Sequence, residues 1–559
     1  MIKSELKEWL DTCFAKGVEQ GLWSEAAAGD FVVEEPKHDN QGDYATNAAM
    51  VIAGKEKKAT GNKVNPRAVA EQLAALLAGN EVLLGKVEIA GPGFINFFLN
   101  DDVWGRVVPA VHAEGDLFGL APRKNGRRVL VEFVSANPTG PLSIGHGRQA
   151  VLGDAIARLL AAVGYEVDRE YYYNDAGRQM RVLGASTRAR YLELLGLPFT
   201  FPEDGYQGDY IRDIAQGMLD EIGDTYKDEE DVEVFKQAAE KAVFANINAT
   251  LKRMGIVFDS YYNEHDLYDQ GLIDNVVAQL RDKGLVYEKD DATWFKTSEF
   301  GQEQDRVIIK SSGEPTYRLP DIAYHREKFR RGYDWLVDVF GSDHIATVPD
   351  VMAGVEALGY DKSKVTVILH QFVTLMRDGK QVKMSTRKAT FVTIDELIDE
   401  VGIDVVRFFF LMRKADSQLE FDLDLAAKEG KENPVFYVQY GHARISSILG
   451  KCTEKGVELG SLAETDLGLL RLPEELKIMK TMAAFPALVK EAAQDLAPHR
   501  LVPYLQELAG LFHRYYHDHR IVDADQQELS KARLWLVAAL ALVLRNGLQL
   551  IGVSAPQSM

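Results

Sequence analysis

Residues 129 to 173 constrain this chain more than any other segment. Val129-Leu130-Val131-Glu132-Phe133-Val134 is a short apolar, β-branched run of the kind that fills a buried parallel strand. Ser135 to Pro141 carries two prolines and a glycine, so the chain must turn there. From Gly145 to Val163, His146, Gln149, Leu152, Ile156, Leu159 and Leu160 recur at helical spacing, and Glu166–Tyr173 reads as a second strand. Strand, helix and strand make a βαβ unit, which implies a right-handed crossover and a parallel sheet. In such sheets ligands bind beyond the carboxyl ends of the strands.

Two short signatures fall at such places. The first runs Asn137-Pro138-Thr139-Gly140-Pro141-Leu142-Ser143-Ile144-Gly145-His146-Gly147-Arg148. It puts His146 in the first turn of a helix, where free N–H groups and the dipole favour an anion. Gly145 and Gly147 let a large planar ligand approach the backbone. From Gly145-His146 alone a loop histidine satisfied by a neighbour is the plainer reading; the strand, the turn and the helix favour a phosphate site. The second signature, Lys383-Met384-Ser385-Thr386-Arg387-Lys388, lies between the turn Arg377-Asp378-Gly379-Lys380 and the apolar run Phe391-Val392-Thr393-Ile394. Clustered cations on a loop suit a triphosphate, because phosphoryl chemistry is mostly charge placement. A solvated basic turn is the bland alternative, although Met384-Ser385-Thr386 interrupts the charges. No G-x-x-x-x-G-K-[ST] loop accompanies them, which disfavours a P-loop ATPase.

Together the signatures resemble the HIGH and KMSKS signatures of class I aminoacyl-tRNA synthetases. Further stretches resemble the arginyl-tRNA synthetase family: Gly42–Asn47, Glu132–Pro141, Tyr173–Gly177, Thr316–His325, Gly341–His344 and Ile551–Pro556. The resemblance runs nearly from end to end, in family order. Two departures stand out. Ser143 replaces the first signature histidine, and a hydroxyl is a short neutral donor, so a phosphate contact there should be weaker. Arg387 stands where the wider class has lysine, a replacement familiar in arginyl enzymes.

The resemblance implies ATP-dependent activation of L-arginine to an adenylate with Mg²⁺ present, then transfer to the 2′-hydroxyl of the terminal adenosine of tRNA(Arg). His146, Lys383, Arg387 and Lys388 would stabilise the crowded phosphate and the departing pyrophosphate. Ser143, Gly145, His146, Gly341, Asp343, His344, Lys383, Met384 and Ser385 would line ATP. Tyr317, Asp321 and Glu264 would enclose the arginine side chain, since a guanidinium is met by planar carboxylates and stacking rings. Asn137 and Gln371 would orient the head group, with Glu132 close by. A helix-start acid after Pro320 is the alternative reading of Asp321. No side-chain metal site is expected.

At 559 residues the chain exceeds what one core usually holds. The fold class expected is multidomain α/β, with a Rossmann-type parallel-sheet catalytic core carrying a helical insertion. A mixed α+β N-terminal domain precedes it and an all-helical anticodon-binding domain follows. The boundaries are 1–122, 123–400 with an insertion at about 179–289, a helical junction at 401–432, and 433–559. Helices are expected near Ile2–Phe14 and Pro66–Leu77, and a broken strand over Lys86–Leu99. After the insertion the sheet should resume at Ala292–Lys296, Arg306–Lys310, Trp335–Phe340 and Val365–Leu369. Two cysteines, Cys13 and Cys452, exclude a disulfide framework and a four-cysteine zinc site. The N-terminus is charged rather than signal-like, and Leu534–Leu544, the longest apolar run, is too short to span a bilayer. A cytoplasmic, membrane-free monomer is expected.

The net charge of −20 opposes a nucleic-acid partner taken whole, but acid concentrates around Asp224–Glu233 while charges balance from Asn433 onward. Tyr437, Tyr440, Tyr515 and Tyr516 are stacking candidates for unpaired bases, or core residues. Three rivals differ in class. A synthetase for a branched aliphatic amino acid would need an editing insertion, and a free-standing nucleotidyltransferase would not need 433–559. A catalytically dead RNA-binding paralogue draws support from Ser143 alone.

Overall fold

The computed structural model describes residues 2–36, 38–382 and 392–559. At its centre the βαβ unit forms as its sequence dictates. β1 (Arg128–Glu132), α1 (Ile144–Ala162) and β2 (Glu166–Tyr173) are joined by parallel pairing that runs from Arg128↔Glu166 to Glu132↔Glu170. Three further strands complete the sheet: β3 (Ser260–Asn263), β4 (Trp335–Gly341) and β5 (Val365–His370), in the order β5-β4-β1-β2-β3. All four pairings are parallel. Val129, Leu130 and Val131 are fully buried, which is why β1 is apolar on both faces. The chain leaves β1 in one direction toward β2 and returns on its other side as β4. The sheet therefore reverses between β1 and β4, and the crevice above that switch point is where a ligand belongs.

Close packing explains two glycines of α1. A Cβ on Gly153 would lie 2.2 Å from the Phe133 ring, and one on Gly147 2.4 Å from Ile394 Cδ1. Neither approach leaves room for a side chain.

Ala292–Phe295 and Arg306–Ile309 do not continue the main sheet, contrary to expectation. With Val286–Lys289 they form a separate three-stranded antiparallel sheet. The cause is local: Asp290 and Asp291, both at positive φ (55° and 56°), close a two-residue hairpin with Lys289 opposite Ala292. The expected insertion is also interrupted. Helices Gly177–Leu194, Asp209–Ile222 and Glu233–Arg253 are followed by β3, which rejoins the parallel sheet beside β2.

The N-terminal region packs helices Ile2–Glu19, Ala48–Thr60 and Pro66–Leu77 with a four-stranded antiparallel sheet. Asn65 caps the third helix by accepting the Arg67 N–H, with Pro66 at its first position. The expected broken strand is a hairpin, Leu84–Ala90 with Phe94–Leu99, turning at Gly91–Gly93.

The C-terminal region is a bundle of Pro434–Gly450, Pro473–Gln494, Leu501–Asp518 and Gln527–Leu550. The last helix region, Ala524–Leu550, is long and apolar enough to cross a membrane by length and composition, which the reading of Leu534–Leu544 did not anticipate. Its apolar residues are largely buried within the bundle. Arg407 ties the regions together, donating to Ile551 O (3.0 Å), to Met254 O (2.9 Å) and to Asp154 of α1 (2.5 Å).

Candidate active site

The crevice over the switch point is a cleft of ≈ 920 Å³. Its floor begins where β1 ends. Val134 and Ser135 both take positive φ, 69° and 42°, and the Ser135 N–H reaches back to Phe133 O at 3.0 Å. Left-handed backbone costs of order 1–3 kcal/mol at a β-branched residue and persists only where the surroundings impose it. The turn aims the Ser135 hydroxyl at Glu132, to which it donates at 2.8 Å, and lets it accept the Tyr172 N–H at 3.2 Å.

Ser143 is the N-cap of α1. Its hydroxyl accepts the His146 N–H (3.4 Å), and its own N–H donates to His146 Nδ1 (3.2 Å). Because Nδ1 is the acceptor, the ring proton sits on Nε2. Burial pushes the His146 pKa below the ordinary value, with Asp343 opposing. The first signature thus presents a neutral imidazole donor together with the first-turn N–H groups, and the Ser143 hydroxyl keeps its own proton to donate.

The second signature's Lys383, Met384, Ser385, Arg387 and Lys388 lie outside the described residues. Its flank is described. Thr393 bridges Ser143 in antiparallel fashion, and the Ile394 N–H donates to Leu142 O at 2.9 Å. The chain that follows the second signature is therefore anchored to the first.

On the other side, α2 (Arg318–Arg330) brings Asp321 into the cleft in its first turn, after Tyr317, which is 82% exposed at the mouth. Burial raises the Asp321 pKa to about 7; His325 and Lys328 oppose the rise, while Glu132 and Glu264 add to it. Among the described residues no side chain hydrogen-bonds the Asp321 carboxylate. Glu264 faces the same space, held by Tyr172 OH (2.9 Å) and Asn174 Nδ2 (2.8 Å), and burial raises its pKa. Asn137 accepts the Asn174 N–H at 3.0 Å and donates to Gln179 at 3.3 Å, which fixes its amide. Glu132 also lines the cleft, bound at 2.5 Å to the fully buried Lys328.

Gly341, Asp343 and His344 line the wall that follows β4, with His344 stacked on Phe340 at 5.1 Å. Gln371 is placed otherwise than expected. It is not among the lining residues, and its backbone carbonyl accepts from Arg148 at 2.6 Å. His370, at the end of β5, lines the cleft instead, its pKa pushed down to about 4 by burial. Tyr172, Asn174, Gln179, His370 and Phe372 are cleft residues that sequence reasoning assigned no role. Asn174 lay inside a family-like stretch; His370 and Phe372 had no signal. Among the described residues no group of three or more His, Cys, Asp or Glu side chains is placed to hold a metal.

Comparison with known proteins agrees with this geometry. Residues 108–407 match the model "tRNA synthetases class I (R), catalytic domain". Residues 2–99 match "Arginyl tRNA synthetase N terminal domain", and 438–559 match "DALR anticodon binding domain". The Desulfotalea psychrophila arginine–tRNA ligase is 62% identical over 559 residues, covering 100% of each chain. The Bacillus subtilis arginine–tRNA ligase is 43% identical over 561 residues, covering 100% of this chain and 99% of its own. An arginyl-tRNA synthetase structure from Campylobacter jejuni superposes with TM-score 0.76 at 32% identity, covering 82% of this chain and 100% of that one. The Thermus thermophilus arginyl-tRNA synthetase shares the fold at TM-score 0.74 and 23% identity, over 100% of both chains.

Proposed function

The chain belongs to the arginyl-tRNA synthetase family, and from that premise we propose how its own residues divide the work. The reaction is arginine–tRNA ligation. ATP activates arginine to the adenylate, and tRNA then accepts the arginyl group. The observation that carries the assignment of the pocket is the Asp321 carboxylate, which stands in the cleft with Glu264 and, among the described residues, has no hydrogen-bonding side chain of its own. A guanidinium supplies the planar paired donors that such carboxylates lack.

Tyr317 covers the guanidinium from the mouth, and Asn137 with Glu132 faces the head group. The arginine carboxylate then attacks the α-phosphate. His146 Nε2 and the N-terminus of α1 stabilise the charge gathering there, by position rather than covalent chemistry. Ser143 and Gly145 border the phosphates; Gly341, Asp343 and His344 border the adenosine. Lys383, Arg387 and Lys388, with Met384 and Ser385 between them, take the pyrophosphate on sequence grounds. The described side chains offer no cage for a hard cation, so Mg²⁺ would arrive on the triphosphate, as it commonly does.

The C-terminal bundle meets the anticodon. Arg444 lies over Tyr440 (4.4 Å) and Tyr516 (4.8 Å), an aromatic and cationic surface suited to unpaired bases. Tyr515 is buried, its hydroxyl bonded to Glu475 at 2.8 Å, and belongs to the core. By analogy with the family, the N-terminal domain (1–122) touches the tRNA elbow, and the enzyme works as a cytoplasmic monomer. Charging of matched tRNA with each of the twenty amino acids tests the whole reading: arginine alone should be attached.

A further inference from the structure

Along the rear of the pocket lies a buried group of charges whose members, apart from Glu132, have no part in the reaction as described. Glu132 on β1 and Asp338 on β4 are register partners in adjacent parallel strands. Two buried carboxylates so placed repel each other unless a cation joins them. Lys328, on α2, supplies it. Its ammonium lies 2.5 Å from Glu132 Oε2 and 2.6 Å from Asp338 Oδ1, with a side-chain exposure of 0%. The same ammonium sits over the Tyr324 ring at 4.4 Å.

His325 is the neighbouring member. Its Nε2 is 3.0 Å from Asp338 Oδ2, and its Nδ1 is 2.8 Å from the backbone carbonyl of Asp321. Burial would raise the Asp338 pKa, but Lys328 and His325 outweigh it and hold that carboxyl ionised, well below the ordinary range. Asp338 can then only accept, and so can a carbonyl. Each ring nitrogen of His325 thus faces an acceptor, the arrangement that two ring N–H donors would satisfy.

Asp321 looks onto charges from every element around it. Glu132 comes from β1, Tyr172 from β2, Glu264 from the turn after β3, and His325 with Lys328 from its own helix, with Asp338 behind them on β4. The acids and the burial favour the neutral carboxyl, while His325 and Lys328 favour the anion. A neutral Asp321 would present a proton to a guanidinium, which has no acceptor.

We propose that His325 is a positioning residue for arginine: by clamping the Asp321 turn to Asp338 and placing a cation beside it, His325 keeps Asp321 in place and ionised for the guanidinium. This rests on the assignment of Asp321 to the arginine side chain.

The test is kcat/KM for arginine against pH, between pH 5.5 and 9, in saturating ATP and tRNA, for wild type, His325→Gln and Asp321→Asn. His325→Gln retains a hydrogen-bond donor but loses the charge. The acidic limb for arginine should move up by about one pH unit, the lower end of what an adjacent opposite charge supplies. The KM for ATP should stay within about twofold of wild type, which also reports that the variant is folded. His325→Asn, as a second variant, should shift the limb in the same direction. An unmoved limb in folded variants would overturn the proposal, as would parallel rises in the KM of arginine and ATP without a shift. Should Asp321→Asn leave arginine use intact, the pocket assignment itself fails and the proposal with it. If Asp321→Asn abolishes arginine use while the His325 limb stays put, only the role of His325 is lost.

Discussion

Ser143 and His146 cap each other: the Ser143 N–H donates to His146 Nδ1 at 3.2 Å, and the His146 N–H donates to Ser143 Oγ at 3.4 Å. One serine therefore begins the helix and selects the tautomer that points an N–H into the cleft. Ser143→Ala should cost about 1 kcal/mol, as other N-cap losses do, and lower Tm. It should lower kcat while leaving the KM of arginine nearly unchanged, measured by steady-state charging. His146→Ala should lower kcat further, by about 10²-fold, the scale of one lost transition-state donor.

Gly147 is held to its size by the flank of the second signature. Gly147→Ala would bring a Cβ to 2.4 Å from Ile394 Cδ1 and 2.8 Å from Cγ1. Over-packing of that kind costs about 1–3 kcal/mol. Thermal unfolding should show the loss, and Gly147→Ala with Ile394→Ala should recover part of it because the two changes share one contact.

Lys328 is the one cation bound to both Glu132 and Asp338 among the described residues. Lys328→Met should destabilise by about 3–5 kcal/mol, since it strands two buried carboxylates. Glu132→Gln in the same chain should reduce that loss markedly. Simple additivity in a denaturation cycle would contradict the bridging role.

Asp321 also predicts a pH-dependent stability. Its pKa in the folded protein is raised to about 7 from 3.8. Between those values the unfolded chain has released the proton and the folded chain retains it, so stability falls as pH rises through that window. Below it the penalty is absent. Asp321→Asn should therefore be more stable than wild type at pH 8 without arginine, by on the order of 1–3 kcal/mol. The difference should vanish toward pH 4.

The central βαβ unit and His146 were legible in the sequence because both are local: an apolar strand, a proline turn and a helical period lie within fifty residues. The support of the pocket was not. Lys328 looks like any surface lysine near a helix end, and its burial is decided by Glu132, 196 residues away, and by Asp338 on the neighbouring strand. The hairpin at Asp290-Asp291 was misread as core sheet because short apolar runs do not reveal which sheet they join; its two-residue loop carried the better signal. Gln371 follows β5 directly, yet which way a residue faces after a strand end depends on the next turn, and it is His370 that lines the cleft.

The account stands most directly on Asp321. Arginine-dependent charging by Asp321→Asn, measured at pH 8 with separate KM determinations for arginine, ATP and tRNA, isolates it. Truncating one partner of a buried charge pair costs about 2–5 kcal/mol, so kcat/KM for arginine should fall by about 30-fold or more, with the KM of ATP nearly unchanged. An unaltered KM for arginine, or losses shared equally by arginine and ATP, would contradict it.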